Sequence, residues 1–236
     1  NIFQAGSCLS IKTSERKKSF AFYSLILPLP TLTSFSVFFF SLLMSAAQNK
    51  IIIITAPSGA GKTSITRFLL KTFPDQLAFS ISAATRQARA NEKHGVDYYF
   101  LSLGEFKHKI QQGEFAEWEM VYEGKYYGTL KSELKRSWLN DKVPLLDIDV
   151  KGAIHVQQQY PKSTLSLFIQ PPSIEELKKR LESRGTETAE TLQARVNKAS
   201  YELSFKDHFD KCIVNDVLER ACAETETIVR QFLSDK

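Results

Sequence analysis

The chain is poor in residues that staple or chelate. It has 3 cysteines, Cys8, Cys212 and Cys222, in 236 residues, too few and too unevenly placed for a disulfide framework or a zinc site. That usage points to reduced thiols and a cytoplasmic protein. Its 4 histidines, His94, His108, His155 and His208, are scattered without ligand spacing, so neither a histidine-built metal centre nor a catalytic histidine is expected. The 2 tryptophans, Trp118 and Trp138, read as packing residues rather than ligand platforms. From Met44 onward there is no internal repeat and no low-complexity run, which excludes solenoids and disordered linkers for that part.

What is present is a globular composition. With 43% hydrophobic and 24% charged residues, the chain can bury the core of one large domain or two small ones. The net charge of +5 suggests a phosphate or nucleic-acid partner until its location is examined. Residues 1–43 hold Lys12, Arg16, Lys17 and Lys18 against Glu15, leaving 27 basic and 25 acidic residues over 44–236, a net of +2. More than half of the basicity therefore belongs to a leader. From Ser19 to Leu43 the leader is uncharged, as in a targeting or anchor segment. Pro28, Pro30 and the many Ser and Thr residues argue against a spanning helix. Met44-Ser45-Ala46 stands directly before the first folded pattern, so 1–43 is read as an upstream or disordered extension, with a targeting or anchor segment as the alternative; a membrane role is not expected unless it is an anchor.

Chemistry enters at Ile51-Ile52-Ile53-Ile54-Thr55, a β-branched run typical of a buried parallel strand. It leads into Ala56-Pro57-Ser58-Gly59-Ala60-Gly61-Lys62-Thr63, and from Ser64 to Lys71 the spacing predicts a helix. Strand, glycine loop, Lys-Thr and helix in this order are what a phosphate-binding loop requires. The glycines let successive N–H groups point inward, and the helix N-terminus adds positive potential. Lys62 can reach the β- and γ-phosphates, and the Thr63 hydroxyl can ligate Mg²⁺. The motif's first glycine is Ala56 here, which restricts φ where the loop begins. A second apolar run, Val143 to Val150, carries Asp147 and Asp149. Read as one strand, alternation puts both carboxylates on one face, beside the crevice where open α/β sheets bind ligands; either could hold Mg²⁺ or contact a substrate. Arg86 and Arg89 have the spacing and geometry to fork onto one phosphate, or to be ordinary surface charges.

At this point the chain resembles a known family. APSGAGKT, SAATRQAR, DYYF, EFAEW, YYGT, LLDIDVKG, PPSIEELKKRLESRGTET and IVND, in this order from about Lys50 to Leu233, are similar to guanylate kinase. The resemblance implies that the loop Ala56 to Ser64 binds the phosphates of ATP, with Thr63 and Asp147 toward Mg²⁺. It implies that Arg86, Arg89, Tyr98 and Tyr127 grip the phosphate of GMP, and that Ser82, Glu117, Thr129 and Asp149 read or support the guanine edge, with Asp147 nearby. Arg184 and Arg195 would belong to a mobile lid and, with Lys62, Arg86 and Arg180, neutralise charge on the transferring group. The fold implied is α/β: a parallel-sheet P-loop kinase core (44–81, 131–183 and 201–236), an inserted GMP-binding lobe at 82–130 and a lid at 184–200.

The chemistry agrees with that resemblance. Guanine offers N1–H and N2–H₂ donors to the Glu117 carboxylate, whereas adenine would oppose it with a lone pair, and sites built on such pairs discriminate strongly. The function expected is Mg²⁺-dependent transfer of the ATP γ-phosphoryl group to GMP or dGMP, by a monomer or homodimer with no nucleic-acid partner. A kinase for another phosphorylated acceptor is disfavoured by Ser82, Glu117 and Thr129. A non-catalytic phosphopeptide-binding module is disfavoured by Lys62 and Thr63. Ser173 is expected to cap a helix with Glu176 completing a capping box, and Val217 to Leu233 reads as a packing helix.

Overall fold

The computed structural model describes residues 49–183 and 189–235; the leader 1–43, Met44 and Arg184, with the Gly185 to Thr188 stretch, lie outside the described residues. The first strand, β1 (Ile51–Thr55), is buried at every position. The glycine loop turns it into α1 (Lys62–Thr72), which returns as β2 (Leu77–Phe79). The chain then builds a second sheet from β3 (Ala83–Ala84) and β4 (Tyr99–Phe100), followed by α2 (Leu103–Gln111) and the hairpin β5 (Phe115–Tyr122) and β6 (Lys125–Leu130). It rejoins the first through α3 (Lys131–Leu139), β7 (Val143–Asp147), α4 (Val150–Gln159) and β8 (Thr164–Gln170). The described chain closes with α5 (Ile174–Glu182), α6 (Ala189–Leu203), a 3₁₀ turn at Lys206–His208, β9 (Lys211–Val214) and α7 (Leu218–Ser234).

The central sheet has the order β2-β7-β1-β8-β9, and every pairing in it is parallel. Such a sheet must be covered on both faces, and β1 shows how. Ile52 and Ile54 pack with Leu69, Leu177 and Val229 from α1, α5 and α7, while Ile51 and Ile53 pack with Leu134, Ala153 and Val156 from α3 and α4. Burying each isoleucine contributes about 1.5–3 kcal/mol. Parallel strands also bring their C-terminal ends to one edge, so the loop after β1 and the end of β7 become neighbours.

The second sheet, ordered β4-β3-β6-β5, has its own small core, in which Phe106 of α2 stacks on Phe115 with ring centres 4.4 Å apart, beside Ala83 and Leu130. Glu133, 2% exposed, ties it to the central sheet. Its carboxylate accepts from Ile81 N at 3.0 Å, Tyr99 OH at 2.8 Å and Arg136 Nη2 at 2.7 Å, so a buried charge is fully partnered.

Two local expectations need correction. Ser173 does cap α5, accepting from Glu176 N at 3.1 Å, but the capping box is only half formed, because the Glu176 carboxylate accepts from Arg180 Nε instead; the complete box is Ser102 with Glu105 on α2. The run Val143 to Val150 is a strand only to Asp147, since Asp149 takes up the N-cap of α4 and accepts from Gly152 N at 2.9 Å. No helix among the described residues is long and apolar enough to cross a membrane.

Candidate active site

The loop after β1 is bent by Gly59 and Gly61, at φ 96° and 98°, values that side chains rarely adopt. Ala56 is not among the positive-φ residues, so its replacement of glycine leaves the loop unstrained. At Gly61 space is also short: a Cβ would lie 2.1 Å from Asn215 Nδ2, whose amide donates to Ala60 O at 2.7 Å. Asn215, buried after β9, thus fastens the loop from behind.

A cleft of about 370 Å³ opens over this loop, lined by Ala56 to Gly59, Gly61 to Ser64, Tyr98, Asp147, Asp149, Lys198 and Glu202. Lys62 Nζ contacts Asp147 Oδ1 and lies 3.5 Å from Ile148 O. Across the cleft, Arg195 of α6 donates to Ser58 Oγ at 3.0 Å. The structure therefore gathers the loop, both aspartates, Tyr98 and Arg195 at one edge of the sheet. Glu202 was not foreseen; it sits buried in this wall, and burial raises its carboxyl pKa.

The second sheet presents the other half. Arg86 lays its guanidinium 4.7 Å from the Tyr98 ring and donates to both oxygens of Glu92, at 2.5 and 2.7 Å, and to Gln87 O at 3.0 Å. The Arg86 bond, helped by Arg89 N at 2.8 Å, holds the Glu92 carboxyl down to about 2. Tyr127 meets Tyr98 edge to face at 6.2 Å. Arg89, with a side chain 79% exposed, lies 3.8 Å from Glu92, so the two arginines converge on a carboxylate that the sequence reading did not include. Acid three residues after a paired arginine was the available signal.

Glu117 is 6% exposed. Its Oε1 accepts from Thr129 Oγ1 at 2.6 Å, across the β5–β6 pair that sets these residues opposite each other. Burial first, and Asp149 nearby, raise its carboxyl to about 7, against the lowering effect of the Thr129 bond. Ser82 is half-buried, its carbonyl accepting from Tyr99 N at 2.9 Å. Arg180 bonds Glu176 and Asn215 O, at 3.1 and 2.9 Å, which braces α5 against β9.

Among the described residues no cluster of three or more His, Cys, Asp or Glu forms a metal cage. The Thr63 hydroxyl, exposed at the loop mouth, and the half-buried Asp147 carboxylate are hard oxygen donors facing one cleft. Such a set suits Mg²⁺, which takes one or two protein oxygens and completes its shell with water and substrate phosphates.

A family model described as Guanylate kinase matches residues 48–232. The chain is similar to the guanylate kinase of Bacteroides thetaiotaomicron, with 45% identity over 203 residues, 86% of this chain and 99% of the relative. It is similar to that of Salinibacter ruber, with 49% identity over 187 residues, 79% of this chain and 98% of the relative. The crystal structure of guanylate kinase from Anaplasma phagocytophilum superposes with a TM-score of 0.63 at 29% identity, covering 79% of this chain and 87% of that one.

Proposed function

The chain belongs to the guanylate kinase family and phosphorylates GMP to GDP with ATP as donor, and from that premise we propose how its residues divide the transfer. The loop Ala56 to Ser64 cradles the ATP phosphates with its N–H groups, and Lys62 leaves Asp147 for the β,γ-phosphates. Arg86 and Arg89, with the hydroxyls of Tyr98 and Tyr127, hold the GMP phosphate. Glu117, Thr129, Ser82 and Asp149 read the guanine edge. A GMP phosphate oxygen attacks the γ-phosphorus in line, the bond to the β-phosphate oxygen breaks, and ADP leaves; Lys62, Arg86, Arg184 and Arg195 balance the charge that spreads over the transferring group. Thr63 and Asp147 would hold Mg²⁺, which would supply positive charge against the donor phosphates.

The observation that carries this assignment is that Asp149 lines the cleft over the loop suited to phosphates and also neighbours the buried Glu117–Thr129 pair, which is suited to a base bearing adjacent N–H donors. The test is a coupled ADP-release assay with GMP, dGMP, AMP and UMP. Turnover with GMP and dGMP and at most traces with AMP and UMP is expected; equal rates with AMP would overturn the role given to Glu117. The free thiols Cys212 and Cys222 suit a reducing compartment, in keeping with a cytoplasmic enzyme.

Glu92 enters as a positioning residue. It and Gln87 O take both Nη1 hydrogens of Arg86 and one on Nη2, and Tyr127 also bonds the guanidinium, so Glu92 fixes the direction in which Arg86 meets a phosphate. Glu92→Gln keeps one acceptor and loses the charge. It is expected to raise the KM for GMP about tenfold, with guanosine binding and the KM for ATP unchanged. A parallel loss of guanosine binding would show that the whole lobe had moved instead.

A further inference from the structure

The first turn of α4 passes unusually close to Glu117. A Cβ built on Gly152 would lie 2.5 Å from Glu117 Oε2, 3.0 Å from Glu117 Cδ and 3.3 Å from Asp149 Oδ1. Heavy atoms do not approach to 2.5 Å without bonding, so a side chain there requires something to move. The helix cannot yield easily. Its first turn is pinned by the Asp149 cap on Gly152 N at 2.9 Å, and Val150, Ala153 and Val156 are buried beneath the central sheet. The backbone of β5 is held by its pairing with β6 and by Gln159 of α4, which donates to Ala116 O. The Glu117 carboxylate remains as the part that moves, although it is buried and bonded to Thr129 on its other oxygen.

Gly152 has no positive φ, since it is absent from the left-handed glycines and lies within a regular helix. Backbone freedom therefore does not explain a glycine at this position, and Ala would be the better helix former. What a glycine provides here is space for the Glu117 carboxylate.

We propose that Gly152 is a specificity-determining residue: its bare α-carbon lets the Glu117 carboxylate withdraw against α4, and this sets the depth of the site that receives the guanine N2 amino group. The inference rests on the reading of Glu117 as the guanine reader. A methyl group at 152 drives Oε2 away from α4, toward the base. The shallower site then rejects the base with the amino group more than the base without it. Hypoxanthine is that second base, having the same N1–H and C6 carbonyl as guanine and only hydrogen at C2, so the GMP-to-IMP affinity ratio reports the depth directly.

The test measures GMP, IMP and ATP affinities by equilibrium titration in the wild type, Gly152→Ala, Glu117→Gln, Glu117→Asp and the Gly152→Ala/Glu117→Asp double variant. In Gly152→Ala, GMP affinity is expected to fall by at least about tenfold, IMP affinity by less than about threefold, and ATP affinity not at all, in line with the cost of sub-ångström misplacement in a binding site. Glu117→Asp shortens the side chain by one methylene, which makes room for the methyl group. The double variant is therefore expected to show a higher GMP-to-IMP ratio than the two single effects multiplied. An unchanged ratio in Gly152→Ala, or strict multiplication in the double variant, overturns the proposal. An unchanged ratio in Glu117→Gln overturns instead the reading of Glu117 on which it stands. Retained ATP affinity in the same samples separates either result from misfolding.

Discussion

Replacing Glu117 with Gln is expected to raise the KM for GMP by about 10²–10³-fold, the loss of two charge-assisted hydrogen bonds at about 1.5–3 kcal/mol each offset in part by the one acceptor that remains. The KM for ATP should change by less than about threefold, because the site proposed for ATP is the loop after β1, which Glu117 does not line. The same carboxylate makes acceptor binding depend on pH. In the empty protein burial raises Glu117 to about 7, so below that pH the group is largely protonated, and it must lose its proton to accept from both guanine donors. GMP affinity should then be about tenfold weaker at pH 6 than at pH 8 from this group alone. The phosphate of GMP has its own ionisation near pH 6, but that persists in Glu117→Gln, so the difference between the two profiles isolates Glu117. Calorimetry in buffers of different protonation enthalpy checks the sign: wild type should release close to one proton at pH 6 beyond what the variant releases. Identical profiles would remove Glu117 from the base site.

The sign for stability runs the other way. A carboxyl group whose pKa is raised by folding favours the folded state below its unfolded value, and that contribution fades as pH climbs toward about 7. The empty enzyme should therefore lose thermal stability across that window while the GMP complex gains affinity. This opposition is the signature of a charge held ready for a ligand, not of one that holds the fold together.

Much of the site was legible where chemistry and chain order coincide. The run Ile51 to Thr63 declares strand, loop and helix start by local codes, because β-branched residues, glycines and Lys-Thr act on their immediate neighbours. The alternation that pairs Glu117 with Thr129 follows from a hairpin. Contacts between distant segments were less legible. Gly152 and Glu117 meet only because α4 packs on β5 from a different sheet. The Glu133 carboxylate meets Arg136 by ordinary i,i+3 helix spacing, but it reaches Ile81 and Tyr99 only because the fold brings them there. Asp149 was misplaced on a strand for a simpler reason: an Asp two residues past a strand end can extend the alternation or cap the next helix, and the cap bond to Gly152 N decides it.

Lys62→Ala is expected to lower kcat by about 10²–10³-fold, the range found when one preorganised donor to a developing anion is removed, while ATP affinity falls less than about tenfold. Melting temperature should hardly change, since the Lys62–Asp147 pair is part exposed, at 23% and 22%, and such pairs contribute about 0–1 kcal/mol. Lys62→Arg should not restore the rate, because a planar fork cannot take the place of a compact ammonium inside a tight loop. Stopped-flow single turnovers, read beside ATP titrations, separate the two effects; equal losses in kcat and affinity would mean that Lys62 serves binding alone. The expectation follows from a feature shared across the cleft. Lys62 rests on Asp147 and Arg86 on Glu92, so both of these cations, proposed to take phosphate, already have a carboxylate that fixes their direction. On the proposed division of the transfer, Asp147 keeps Lys62 pointed over the loop until the donor phosphates take its place, whereas Glu92 stays on Arg86. Removing Lys62 therefore removes charge from the transferring group without loosening the scaffold that holds the reactants, and the loss falls on the rate.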